Sequence, residues 1–133
     1  MAIEFKGKKN KQPITCGTIL MLSCVLWLED DPHVASYFEP EIGIIVNLHG
    51  NEYRIPIHIW AHHRDATSSF IGLVDAKLEQ LFRDHRDIPA DVEKQCSGMN
   101  FKYIPIRPSD IDTSHAWDYM RQRRAERMLC TEY

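Results

Sequence analysis

The chain has 133 residues, 44% hydrophobic and 26% charged, with sixteen Lys and Arg against nineteen Asp and Glu for a formal charge of −3. That size and balance describe one folded domain able to bury a core without disulfides or metal, and they exclude general disorder and a uniformly basic nucleic-acid binder. The longest apolar run, Ile19 to Leu28, is too short to span a bilayer and is followed by Glu29-Asp30-Asp31 rather than a small-residue cleavage site, so a cytoplasmic protein is expected. The four cysteines, at 16, 24, 96 and 130, form no CxxC pair and no zinc-knuckle spacing. They read as reduced thiols, with Cys24 a core residue rather than a reactive one.

Residues 1–13 carry Lys6, Lys8, Lys9 and Lys11 against Glu4 and close on Pro13. They read as a basic flexible arm ahead of a single domain spanning 14–133. From Thr15 the chain turns apolar nearly all round, through Ile19, Leu20, Leu22, Val25, Leu26 and Leu28. This predicts a buried helix of about three turns, capped by Thr15 or Thr18 and ended by Asp31-Pro32. Two alternating runs follow, Ile42 to Leu48 and Tyr53 to Ile59, joined by His49-Gly50-Asn51, the pattern of a β-hairpin. Pro56 puts its part of the second strand at an edge or a bulge. Ile55, Ile57 and Ile59 are expected in one core with Leu26 and Trp27.

Phe70 to Val74 reads as a short buried strand leading into Asp75-Ala76-Lys77, although Ile71, Val74, Leu78, Leu81 and Phe82 also recur at helical spacing. The strand is favoured because Gly72 is a poor helix residue. Helix is expected from Leu78 to Asp87, a second short helix from Pro89 to Gly98, a strand from Asn100 to Ile106, a turn at Pro108 to Ile111, and a last helix from Ser114 to about Leu129. The order is helix, hairpin, strand, helices, strand, helix: an α/β chain with a mixed sheet flanked by helices.

The segment Trp27-Leu28-Glu29-Asp30-Asp31-Pro32-His33-Val34-Ala35-Ser36-Tyr37-Phe38-Glu39-Pro40 resembles the opening of TnsA-type transposase endonucleases, a leading helix, L-E-x-D-P-x-V-x-x-Y-x-E-x-P, then a hairpin. Gly98 to Ile106 with Asp110-Ile111 is similar to that family's closing run, and the resemblance spans about residues 14–112. It implies the PD-(D/E)xK, restriction-endonuclease-like fold, whose members cut DNA with Mg²⁺. Carboxylates converge on the metal, and a lysine supports the charge that develops at the attacked phosphate. On a strand, residues two apart share a face, so Asp75 and Lys77 are the candidate catalytic pair.

The other motif positions depart from the family. Ile57 stands where the aspartate after Pro56 is expected, and Leu20, Met21 and Leu22 occupy the window of the helical glutamate. Without both carboxylates a Mg²⁺ site lacks the oxygen ligands that ion needs. The expectation is a nuclease-like domain without nuclease activity or cofactor. It would be a DNA-associated or partner-binding subunit of a transposition or other mobile-element system, with a transposase among the candidate protein partners. Two readings stay open beside it. One is an active Mg²⁺-dependent DNA endonuclease with ligands relocated to Glu39, Glu41, Glu52 or His58. The other is a protein-interaction or inhibitor module using the fold as scaffold.

His58, His62 and His63 form an H-x3-H-H cluster, but on a strand positions four apart lie about 13 Å from each other, too far for one zinc ion. The remaining candidates are basic. Arg121, Arg123, Arg124 and Arg127 on the last helix, with Lys8 and Lys9 near the start, are the expected DNA contacts, because guanidinium forks suit phosphate.

Overall fold

The computed structural model describes residues 2–131, with side chains described for residues 2–126. A four-stranded mixed sheet organises the chain. Its strands are β3 (Val34–Phe38), β6 (Ile59–His63), β7 (Ser68–Leu73) and β8 (Phe101–Ile106), in that spatial order. The pairs β3/β6 and β6/β7 are antiparallel, and β7/β8 is parallel. A parallel neighbour needs a crossover, which two helices supply: α2 (Ala76–Asp84) and α3 (Asp87–Gly98). The class is therefore mixed α/β, as the order of elements predicted.

Strand alternation divides the sheet into two faces. On one, Tyr37, Ile59, Ala61, Ile71, Leu73 and Ile106 pack against Leu22, Val25, Leu26 and Leu28 of α1 (Ile19–Asp30). Thr18 caps α1, its Oγ1 accepting from the Met21 N–H at 3.1 Å. The last helix, α4 (Ser114–Thr131), lies against α1. On the other face, Phe70 and Tyr103 pack with Val74, Leu78, Phe82, Ile88 and Val92 and with the hairpin β4 (Gly43–Leu48)/β5 (Asn51–Pro56). The hairpin loop is His49-Gly50, both at positive φ (51° and 78°), the type I′ geometry that matches strand twist. Gly72 is required on this face: a Cβ there would stand 2.6 Å from the Tyr103 hydroxyl. Among the described residues no helix is long and apolar enough to cross a membrane.

Three expectations need correcting. The first thirteen residues are not a loose arm. β1 (Ile3–Phe5) pairs antiparallel with β2 (Ile14–Cys16), and Phe5, Ile14 and Cys16 enter the core beside α1. Asn10, 1% exposed, holds the connection: its Oδ1 accepts from the Gly7 N–H at 2.7 Å, and its Nδ2 donates to the Phe5 and Gln12 carbonyls, each at 3.0 Å. Second, the isoleucines do not share one core. Pro56 ends β5, so Ile55 and Ile57 pack with the α2–α3 side while Ile59 begins a strand of the main sheet and packs with Leu26. Trp27, expected inside, is 50% exposed. Third, the strand expected over Phe70 to Val74 is present as Ser68–Leu73, but it does not carry Asp75-Ala76-Lys77, because α2 starts directly after Asp75.

Candidate functional site

The start of β6 and the end of β7 meet at one end of the sheet, where the resemblance puts the metal site. Ile57 is 3% exposed and Leu22 fully buried, each inside an apolar cluster. The groups present do not fit Mg²⁺, which requires charged oxygens at these two places. His58 is half-buried: its backbone N–H donates to the Ile71 carbonyl at 2.9 Å, and its Nδ1 accepts from the Leu73 N–H at 2.9 Å. That bond fixes the tautomer with the proton on Nε2. Burial lowers the His58 pKa, opposed by the nearby Asp75 charge.

Asp75 does not sit on a strand. It is the N-cap of α2, its Oδ1 accepting from the Leu78 N–H at 2.8 Å. Lys77 follows as an exposed residue in the first turn. The two therefore lack the shared strand face that a D-x-K pair uses. Glu39, Glu41 and Glu52 are exposed, and among the described residues no three His, Cys, Asp or Glu side chains are grouped as a metal site would need. The histidines also diverge. His62 Nδ1 lies 3.0 Å from Ser68 Oγ on one face of the sheet, and His63 Nε2 lies 2.8 Å from Ser69 Oγ on the other. Cys24 is fully buried, which pushes its thiol up to about 12, the behaviour of a packing residue.

The arginines of α4 are arranged by helix periodicity. Trp117, Arg121 and Arg124 fall at i, i+4 and i+7 and so form one stripe. With Ala2, Ile3, Met120 and Arg123 they line a cleft of about 330 Å³. Trp117 is 50% exposed. Arg121 pairs with Asp118. Arg123 is turned to the first hairpin, donating to the Glu4 carbonyl at 3.4 Å and to the Tyr119 hydroxyl at 3.2 Å. Arg124 is exposed and, among the described residues, makes no ion pair. The side chain of Arg127 lies outside the described residues.

The two lysines separate by role. Lys8 has an exposed side chain. Lys9 Nζ donates to the Leu28 carbonyl at 3.1 Å and the Asp31 carbonyl at 2.5 Å, at the C-terminal end of α1. Sequence reading did not single out Trp117, although its spacing from Arg121 and Arg124 carries the signal. Comparisons with protein-family models, with curated proteins and with solved structures give no match.

Proposed function

We propose that this chain is a nuclease-like scaffold without a metal site that works as a DNA-associated subunit, of the kind a transposition or other mobile-element assembly would recruit beside a partner protein. The order of elements supports the fold half of this reading. A leading helix, three antiparallel strands, helices and a parallel fourth strand follow the chain in the arrangement expected of a restriction-endonuclease-like core, with β4/β5 inserted between the first two strands. Apolar burial of Ile57 and Leu22 supports the loss of cleavage.

The observation that carries the DNA half is the exposed Trp117–Arg121–Arg124 stripe. Guanidinium groups beside an open indole combine phosphate attraction with a stacking surface, on a chain whose overall charge is negative. The test is fluorescence anisotropy with duplex DNA at several salt concentrations, alongside incubation of supercoiled plasmid with Mg²⁺ or Mn²⁺. Weak, salt-sensitive binding is expected, with intact plasmid. Arg121→Ala/Arg124→Ala should weaken binding and flatten its salt dependence, since fewer counterions are released. Absence of binding at low salt overturns the DNA role, and nicking that disappears in Asp75→Ala and Lys77→Ala establishes the active-enzyme reading instead.

A further inference from the structure

The face of the sheet that α1 covers is apolar over Ile59, Ala61, Ile71, Leu73 and Ile106, then changes character at the far end of the strands. There His63 on β6, Ser69 on β7 and Lys102 on β8 stand side by side, with Ser69 and Lys102 in direct register. Strand alternation puts all three on the same face as the core isoleucines, beyond the reach of the helix. They open into a cleft of about 730 Å³, also lined by His33, Arg64 and Phe101. This cleft lies at the opposite end of β6 and β7 from His58 and Asp75, and it shares no lining residue with the Trp117 cleft.

Ser69, His63, Arg64 and Asp65 are held in place. Ser69 is 3% exposed, an unusual place for a hydroxyl, and its Oγ is held 2.8 Å from His63 Nε2. The Arg64 backbone N–H donates to the His33 carbonyl at 2.9 Å and its Nε to the Pro32 carbonyl at 2.7 Å. Those two bonds anchor the guanidinium beside the entry to β3, and among the described residues its two terminal nitrogens carry no hydrogen bond or ion pair. The one acid in the lining among the described residues, Asp65, is engaged within its own turn: its Oδ1 accepts from the Thr67 N–H at 3.0 Å and from the Thr67 hydroxyl at 2.6 Å. Two permanent cations, two imidazoles and a buried hydroxyl thus face a space of the size that holds a small organic ligand. Ile104, two residues on from Lys102 along β8 and so on the same face, supplies an apolar wall.

From this constellation we propose that the cleft binds a terminal phosphate on a nucleotide-sized ligand. Arg64 and Lys102 take the charge, and the His63–Ser69 pair donates to a phosphate oxygen. A terminal phosphomonoester matches the two cations better than a singly charged diester, because it carries close to two negative charges at neutral pH. That chemistry is common to a free mononucleotide and to a 5′-phosphorylated strand end.

Titration calorimetry with AMP, adenosine, a 5′-phosphorylated octanucleotide and its 5′-hydroxyl counterpart separates the sources. Binding of AMP but not adenosine is expected. A phosphorylated octanucleotide that binds more tightly than AMP, and than the hydroxyl strand, identifies the strand end; AMP alone identifies the free nucleotide. Lys102→Gln and Arg64→Ala should each lower affinity by about tenfold, one charge-assisted contact each. The exposed Lys102 keeps the test valid if Arg64→Ala fails to fold. Arg121→Ala/Arg124→Ala, in the other cleft, should leave AMP binding unchanged. Equal binding of AMP and adenosine, no heat in the low-millimolar range, or full affinity in Lys102→Gln each overturns the proposal.

Discussion

The Tyr37 hydroxyl donates to Glu29 Oε2 at 2.6 Å, tying the end of α1 to the first strand of the main sheet. Glu29 Oε1 accepts from the Lys8 N–H at 2.7 Å, so one carboxylate joins the first hairpin, the helix and the sheet. Gly7 permits this approach, since a Cβ there would lie 2.3 Å from Glu29 Oε2. Burial alone would raise the Glu29 pKa, but the Tyr37 hydroxyl, the Lys8 and Lys9 N–H groups and the Lys9 ammonium outweigh it and hold it below the ordinary glutamate value. A lowered folded value means the ionised form is preferred in the fold. The stabilisation is complete above the ordinary value and disappears as pH falls through the folded one. Tyr37→Phe should cost about 1–2 kcal/mol at neutral pH, allowing for the partial exposure of Glu29. Urea midpoints measured from neutral to acid pH should converge for variant and wild type; a constant gap would show that the tie is not electrostatic.

Ile57 stands where the resemblance leads one to expect an aspartate, and its surroundings make it a core residue. It is 3% exposed among Ile55, Phe70, Val74 and Leu78, and its N–H donates to the Ile42 carbonyl at 3.3 Å. Ile57→Asp places an unpaired charge there and should destabilise by about 3 kcal/mol or more. Thermal melts with and without Mg²⁺ measure this. A variant melting within a degree or two of wild type would mean that the position tolerates a carboxylate.

What the sequence made legible followed periodicity. The β4/β5 hairpin was readable because alternation runs unbroken into His49-Gly50, and α1 because its apolar run is bounded by Thr18 and Asp31-Pro32. β3 was not, since its register shifts between Val34 and Ser36 and the bulge breaks the period of two. The first hairpin was hidden by its lysines: only Ile3, Phe5, Ile14 and Cys16 signal it, in two strands of three residues. Asp75-Ala76-Lys77 looked like a strand motif because a cap and a catalytic carboxylate share one residue type, and only the helix after it decides between them. The His63–Ser69–Lys102 row arises from strand pairing between distant segments, which no local pattern encodes.

Asp75 offers a direct separation of those two roles. As the N-cap of α2 it satisfies the Leu78 N–H. Asp75→Ala should lower stability by about 1 kcal/mol, whereas Asp75→Ser, which still caps, should restore most of it. Lys77→Ala should change stability by less than about 0.5 kcal/mol, as expected for an exposed side chain away from such features. Chemical denaturation of the three variants is sufficient. Equal losses in Asp75→Ala and Asp75→Ser would remove the capping role.

Lys8 and Lys9 are adjacent and of one charge, yet they should behave oppositely. The Lys9 ammonium adds a charged donor to two carbonyls at the end of α1, where the helix dipole favours a cation. The same carbonyls also accept from the Asp31 and Val34 N–H groups, at 3.3 and 3.2 Å. Lys9→Ala removes the charged donor, leaving the Leu28 and Asp31 carbonyls with only the Asp31 and Val34 N–H groups, and should destabilise by about 1 kcal/mol, the net worth of hydrogen bonds to a charged donor on a half-buried site. Lys8 holds Glu29 through its backbone, so truncating the side chain should leave the melting temperature within experimental scatter. In DNA titrations at low salt the order reverses. Lys8→Ala removes a free surface cation and should weaken binding, while Lys9→Ala removes one already spent inside the protein and should bind as wild type does once folded. Paired measurement of melting temperature and anisotropy on both variants decides the matter. A Lys9→Ala variant that melts normally but binds DNA poorly would return Lys9 to the interface.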